Sequence, residues 1–326
     1  MNDHLTKATR EYLLLPRHER SLLCYRDVWV PHPHGIALTE CAKLLVSLPR
    51  IKSNPGMAVV GHPGVGKSRL AQRWSEESFS GKEGWEGKVM YIDLSNRKKG
   101  VDLEKRFLQE LGVVVRGKAY TFSAKDYADA QEAVKRLNIR AVIFDEAHGL
   151  ERRMTSQRLH NMFEALKGFS HESWGLNVIV CGIPALKDLL EMDDQIESRY
   201  IHRTTELPEW KNDNLLASFV AAFMCYMPLQ RPSEVSSKIF LDKLYELAQP
   251  APLRGSKAGN KNRSRSKCSS LRTMVDFLRE ACRYAIISGE EYIDVVSITN
   301  AAARLRGIAD PQALLLQNAR ASLASE

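Results

Sequence analysis

The sequence predicts an α/β fold: a parallel sheet with helices on both faces, followed by a helical C-terminal region. Three observations carry that prediction. Short apolar runs alternate with amphipathic helical stretches between residues 57 and 207, the pattern of strands buried on both faces and joined by crossover helices. The first of those runs leads directly into a glycine-rich loop and then a helix-forming stretch. From Trp210 onward the apolar positions recur at helical spacing.

Taken in order, residues 38–48 carry helical patterning, and the preceding Val28-Trp29-Val30-Pro31-His32-Pro33 is extended because proline disfavours helix in the residue before it. Pro55-Gly56 is a turn, 57–60 the first strand and 68–79 a helix. Val89-Met90-Tyr91-Ile92-Asp93-Leu94 is the second strand, followed by a helix with Leu103, Phe107, Leu108 and Leu111 on one face. Ser123, with Asp126 three residues on, is the N-cap of a helix bearing Tyr127, Ala130, Val134 and Leu137. The third strand, Ala141-Val142-Ile143-Phe144, ends in Asp145-Glu146. A helix with Leu159, Met162, Phe163 and Leu166 follows, then strands at 177–181 and 201–207. Helices at about 213–227, 234–248, 270–287 and 294–306 complete the chain, and no segment repeats.

A chain of 326 residues, 44% hydrophobic and 26% charged, has material for two or three globular domains. The longest apolar run, 215–229, is broken by Ser218 and Pro228 and is too short to span a bilayer. Residues 1–10 are polar and carry no apolar signal segment. The six cysteines, at 24, 41, 181, 225, 268 and 282, lie singly, without zinc spacing, and are expected to be reduced thiols of a cytoplasmic protein. The net charge of +8 is concentrated: Arg254, Lys257, Lys261, Arg263, Arg265, Lys267 and Arg272 occur with no acid among them. This Gly/Ser/Asn-rich stretch reads as a mobile basic loop, either for a polyanion such as nucleic acid or simply solvated.

Gly61-His62-Pro63-Gly64-Val65-Gly66-Lys67-Ser68 fits G-x-x-x-x-G-K-[ST], a phosphate-binding loop, and Arg69 carries it into the helix. The glycines let consecutive backbone N–H groups turn inward around a triphosphate. Lys67 is expected at the β- and γ-phosphates and the Ser68 hydroxyl on Mg2+. Asp145, presented by a buried strand at the sheet's C-terminal edge, is expected to hold Mg2+ through water, and Glu146 to polarise the attacking water. His148 follows closely, and a lone histidine is more often structural than catalytic.

A phosphate loop, an intervening strand, Asp-Glu, a fourth strand and a helical C-terminal region together resemble the AAA+ ATPases. The segments VWVPHPHG, AVIFDEAHGL, NVIVCGIPAL and QIESRYIHRTTELPEW resemble, more narrowly, the TniB/TnsC ATPases of CRISPR-associated and related Tn-type transposons, over about residues 25–305. The ATP motifs are common to AAA+ proteins, whereas the Pro-His approach and the Glu-Ser-Arg-Tyr segment are more particular to this branch. The resemblance implies an AAA+ P-loop core with a five-stranded parallel sheet plus a C-terminal α-helical lid, binding ATP and Mg2+ and hydrolysing ATP. It also implies bacterial cytoplasmic location, no membrane partner, and a homo-oligomeric ring or filament, hexameric or heptameric per turn. Arg199 matches the family's arginine that reaches a neighbouring subunit's ATP, with Arg203 as the second choice and a surface ion pair as the other reading. Arg272 matches the lid's second-sensor arginine or is an ordinary DNA-facing charge. Ile183 departs from the small polar residue the family carries after strand four; neither Asn177 nor Cys181 replaces it well, and hydrolysis is expected to be slow.

Related transposon ATPases grip duplex DNA through loops that correspond here to Arg97, Lys98 and Lys99, then Lys118, Tyr120 and Thr121. Cations and a hydroxyl there suit phosphate contacts, without sequence readout; for Arg97-Lys98-Lys99 a solvated turn is the alternative. The expected organisation is an N-terminal extension at 1–50, an ATPase core at 51–210, a helical lid at 211–310 containing the basic loop 254–272, and a tail at 311–326. The expected function is a DNA-bound regulator of transposition that recruits the transposase to a target marked by a TniQ-like targeting protein. The rivals are a helicase- or clamp-loader-type ATPase and a P-loop kinase or small-molecule enzyme.

Overall fold

The computed structural model describes residues 3–95, 102–121, 123–147, 156–200, 204–249 and 269–307. In chain order the elements are α1 (Lys7–Tyr12), α2 (Arg17–Leu22), a 3-10 turn (Leu23–Tyr25), α3 (Pro33–Ser47), β1 (Met57–Val60), α4 (Lys67–Phe79) and β2 (Lys88–Asp93). There follow α5 (Leu103–Arg116), α6 (Ala124–Arg136), β3 (Ile139–Asp145), α7 (Ser156–Ser170), β4 (Asn177–Gly182), α8 (Ala185–Leu190), α9 (Asp194–Tyr200) and β5 (Thr204–Glu206). The last helices are α10 (Asn214–Met224), α11 (Lys238–Leu247), α12 (Leu271–Ser288) and α13 (Val295–Leu305). They fall into two compact units, Pro33–Pro208 and the combination of Met1–His32 with Glu209–Glu326.

The first unit is a five-stranded, all-parallel sheet of order β2-β3-β4-β1-β5. Every residue of β1 and β4 is buried, as a strand covered on both faces requires. From β1 the chain crosses to the far edge, returns through β3 and β4, and then passes to the other side of β1. That path brings the C-terminal ends of β1, β3 and β4 side by side, where ligands of open α/β sheets bind. Leu103, Phe107, Leu108 and Leu111 of α5 are all in the core. The Ser123 hydroxyl accepts from the Asp126 N–H, the expected cap of α6. β5 is shorter than expected, and residues 201–203 lie outside the described set; the ladder continues one bond further, Leu207 N–H to Val60 carbonyl at 2.8 Å.

In the second unit α1 and α2 pack with the C-terminal helices. Arg20 of α2 and Glu291, after α12, form a two-pronged ion pair with N–O distances of 2.5 and 2.8 Å. Arg26 donates to the Tyr226 carbonyl, Arg279 to the Arg26 carbonyl at 3.2 Å, and the Thr6 N–H to the Cys225 carbonyl at 3.0 Å. The stretch 1–50 is therefore divided, with 33–50 in the sheet unit and the residues before it in the helical one. α12 runs from a Ser270 cap to Gly289, whose φ of 88° suits glycine at a helix end. α13 opens with a reciprocal Asp294/Ser297 cap. Among the described residues no helix is long and apolar enough to cross a membrane. Cys24, Cys41, Cys181, Cys225 and Cys282 are free thiols; Cys268 lies outside the described residues.

Candidate nucleotide site and nucleic-acid surface

β1 ends at Val60, and the loop that follows is pinned at its base. The Gly61 N–H donates to the Gly182 carbonyl at 3.1 Å, and a Cβ on Gly61 would sit 2.7 Å from the Leu207 carbonyl oxygen. Buried Val65 anchors the middle of the loop, while His62, Pro63 and Gly64 face outward to differing degrees. Gly64 and Gly66 take φ of 82° and 113°, a left-handed region that glycine enters without steric cost. Lys67 then opens α4, which has no side-chain cap, so the helix's first-turn N–H groups point into the loop. The Lys67 ammonium is buried and donates to the carbonyls of Gly61 at 2.7 Å and His62 at 3.0 Å. Ser68 is half-buried on the helix's first turn. The Arg69 guanidinium pairs with Glu76 at 3.2 Å, so its side chain runs along α4.

Asp145 ends β3 and is 1% exposed. Its Oδ1 accepts the Glu146 N–H at 2.8 Å, and its Oδ2 accepts the Tyr91 hydroxyl at 2.9 Å. Tyr91 in turn accepts from Gln72 of α4 at 3.4 Å. Burial first, and then the Asp145 charge and hydrogen bond, push the Tyr91 hydroxyl well above its ordinary pKa, so it stays a donor. Sequence reasoning missed Tyr91 because a tyrosine in an apolar strand reads as core. Glu146 is half-buried, with a left-handed φ of 60°. Cys181, at the end of β4, is fully buried; burial chiefly, and then Asp145 and Glu146, raise its pKa while Lys67 lowers it. Lys67, which follows β1, and Asp145 and Glu146, at the end of β3, flank β4 at the same edge of the sheet. Asn177 stands at the other end of that strand, donating to the Pro55 carbonyl at 3.0 Å, which is a structural role. Beside Gly182, Ile183 is half-buried and offers no polar group.

The residues fit a magnesium ion. The two donors that meet the Asp145 oxygens, a hydroxyl and a backbone N–H, are both neutral, although buried carboxylates are ordinarily paired with a cation. One hydroxyl, one carboxylate and phosphate oxygens form the hard-oxygen set that Mg2+ takes, whereas no described group of three or more His, Cys, Asp and Glu side chains could hold a metal by itself.

Comparison with known proteins identifies the lineage. The family model described as TniB, bacterial TniB protein, matches residues 20–212, more than half of the chain. The chain belongs to the TniB family. A search of curated protein sequences gives no match. Among solved structures, the Aeropyrum pernix ORC1 protein in complex with DNA is similar, with a TM-score of 0.58 at 16% identity over 87% of this chain and 69% of that one. Cdc6p from Pyrobaculum aerophilum scores 0.56 at 12% identity, covering 85% and 69%. Drosophila ORC bound to DNA scores 0.53 at 11% identity, covering 96% and 70%. At such identities the likeness establishes the fold alone, a five-stranded parallel α/β core followed by C-terminal helices. This TniB protein is accordingly an AAA+ protein of a transposition ATPase family.

The other expected site residues of the TniB chain divide. Arg199, in the last turn of α9, is half-exposed and donates to the Lys167 carbonyl at 3.4 Å, where a cation suits the C-terminal end of α7. Arg272 is exposed on the first turn of α12, with Asp276 one turn on. Arg97, Lys98, Lys99, His148, Arg203 and the basic positions from Arg254 to Lys267 lie outside the described residues. The expected contact at Tyr120 needs correcting: the side chain is 5% exposed in the core cluster, with the Arg116 guanidinium 3.8 Å above its ring. Its aromatic bulk serves packing rather than a loop tip. The Thr121 hydroxyl is committed to Asp126, which Ser123 also engages. Those hydrogen bonds, Ser123 first and Thr121 next, hold the Asp126 carboxyl well below the usual range, leaving a negative charge beside the expected phosphate surface. Lys118 is exposed and available.

Proposed function

We propose that this TniB-family chain is an ATP-dependent, DNA-binding AAA+ regulator of transposition. It binds and slowly hydrolyses ATP, oligomerises on duplex DNA without reading sequence, and recruits a transposase to a target marked by a TniQ-like protein. The observation that carries the reading is the glycine loop with buried Lys67 after β1 and the Asp145-Glu146 pair at the end of β3, at one sheet edge, in a chain of the TniB family. The Lys67 ammonium has three donors, and exchanging the loop carbonyls of Gly61 and His62 for phosphate oxygens places its charge on the β- and γ-phosphates. The Ser68 hydroxyl and, through water, Asp145 would hold Mg2+, which would supply charge neutralisation at the phosphates. Glu146 takes the proton of the attacking water as general base. Arg199 of a neighbouring copy, released from the Lys167 carbonyl, offers its guanidinium to the transferring phosphoryl group. The DNA-bound relatives by fold, ORC1 of Aeropyrum pernix and ORC of Drosophila, lend the duplex its place in the reading.

The test is the mass of the species formed on a short duplex with ATP or ADP. Large assemblies are expected with ATP, persisting in Glu146→Gln and absent in Lys67→Ala. A chain that stays monomeric on DNA in both nucleotide states refutes the regulator reading and favours a P-loop enzyme of another kind.

A further inference from the structure

Tyr91 belongs to neither the phosphate loop nor the Asp-Glu pair, yet it is the side chain that fixes Asp145 in place. β2 and β3 run in parallel register with Tyr91 beside Ile143 and Asp93 beside Asp145. Side chains two residues apart share a face of a sheet, so Tyr91 and Asp145 lie on the same face as diagonal neighbours. The ring is long enough to span that diagonal, and the hydroxyl meets Oδ2 at 2.9 Å. The opposite oxygen is taken by the Glu146 backbone N–H at 2.8 Å. Two fixed donors, one on each oxygen, determine the plane of the carboxylate and the direction of its remaining lone pairs. Gln72 closes the arrangement from α4, donating to the Tyr91 oxygen at 3.4 Å. Gln72 is four residues after Ser68 on the same helix and therefore on the same helical face.

We propose that Tyr91 is a positioning residue for Mg2+–nucleotide binding, orienting Asp145 through its hydroxyl and linking it to the helix that carries Ser68. The inference rests on reading the site as an ATP site and deepens it. Hydrogen-bond partners that orient a metal's direct ligands typically set metal affinity by about 10–100-fold, and a donor to Asp145, which would act through water, belongs at the low end of that range. Phenylalanine keeps the ring and removes only the hydroxyl, which makes Tyr91→Phe the informative change.

The experiment is a Mg2+ titration of the binding of a fluorescent ATP analogue to the full chain, with thermal melting alongside. The Mg2+ concentration at half-effect is expected to rise about tenfold or more in Tyr91→Phe, while analogue affinity without Mg2+ stays within about twofold. Gln72→Leu is expected to move the midpoint in the same direction by less, and it supplies the reading if Tyr91→Phe fails to fold. A Tyr91→Phe midpoint equal to the wild type, with or without a lower melting temperature, overturns the positioning role and leaves the ATP site standing. A wild-type chain that binds the analogue without Mg2+ dependence overturns this inference alone, and one that does not bind the analogue at any Mg2+ concentration overturns the ATP-site reading and this inference with it.

Discussion

Replacing Arg20 by alanine is expected to cost the helical unit about 3–5 kcal/mol, because it strands a buried carboxylate. The side chains of Arg20 and Glu291 are 2% and 4% exposed. Arg20 donates to both Glu291 oxygens, at 2.5 and 2.8 Å, and to the Pro228 carbonyl at 3.1 Å. Without it, Glu291 keeps the Gln230 N–H at 3.3 Å and the largely exposed Arg17 at 3.8 Å, too little to replace the lost charge. A domain's whole stability is about 5–15 kcal/mol, so the loss removes about a fifth or more of it. Urea unfolding of the full chain, followed by circular dichroism, should show the helical unit's midpoint falling by roughly 2 M at a slope of about 2 kcal/mol/M. Arg20→Lys should recover little, since one ammonium lacks the fork that meets both oxygens. The double variant Arg20→Met with Glu291→Leu should recover most of the loss by removing both charges. A midpoint for Arg20→Ala indistinguishable from the wild type would refute the claim that this pair binds the N-terminal helices to the C-terminal ones.

Gly112→Ala should destabilise the sheet unit by about 1–3 kcal/mol in a thermal melt, because the new methyl would collide with the Tyr120 N and meet the Lys118 carbonyl at 2.6 Å; an unchanged melt would show that this loop yields. Lys118→Ala should lower the slope of log duplex affinity against log salt by about 0.9, whereas Tyr120→Phe should leave it unchanged; the reverse pattern would put Tyr120 on the DNA. Burial tends to raise the Glu77 pKa, but bonds from Lys82 at 2.5 Å, Trp85 at 3.3 Å and Arg73 at 2.8 Å outweigh it, and the folded value is depressed below 4.5. Its stabilisation is therefore complete above that ordinary value and is lost as pH falls below it. Melting temperatures should drop between about pH 5 and 3, less steeply in Glu77→Gln; parallel curves would deny Glu77 that role.

Sequence pattern revealed those parts of the fold in which local chemistry and tertiary burial agree. β1, β3 and β4 are covered on both faces, so their continuous apolar runs mark them. The Ser123 cap and the loop from Gly61 to Ser68 are local signals and fall where expected. α1, α2, α8 and α9 escaped notice because six or seven residues give too few turns for a helical period to show. α10 is shorter than its apolar pattern, which runs on through Met227 after the helix has ended at Met224. Arg20 and Glu291 stand 271 positions apart, and no local signal couples them. Tyr120 and Tyr91 misled in opposite directions: Tyr120 has the sequence setting of a loop-tip contact and is core, while Tyr91 has the setting of a core residue and holds Asp145.

Glu146 shows why two adjacent acids can serve one site. In an extended strand, successive side chains leave on opposite faces, so Asp145 and Glu146 would be separated by the sheet itself. The left-handed turn at Glu146 ends the strand and folds that residue's own N–H back onto Asp145 Oδ1. A glutamate held at φ of 60° costs about 1–3 kcal/mol, which glycine would avoid. Glu291, at φ of 62°, bears a similar cost, and there the ion pair with Arg20 offsets it. At Glu146 the turn sets the residue beside Asp145 at the end of β3. That is the arrangement expected where a side chain is needed for proton transfer at a sheet's ligand-binding edge.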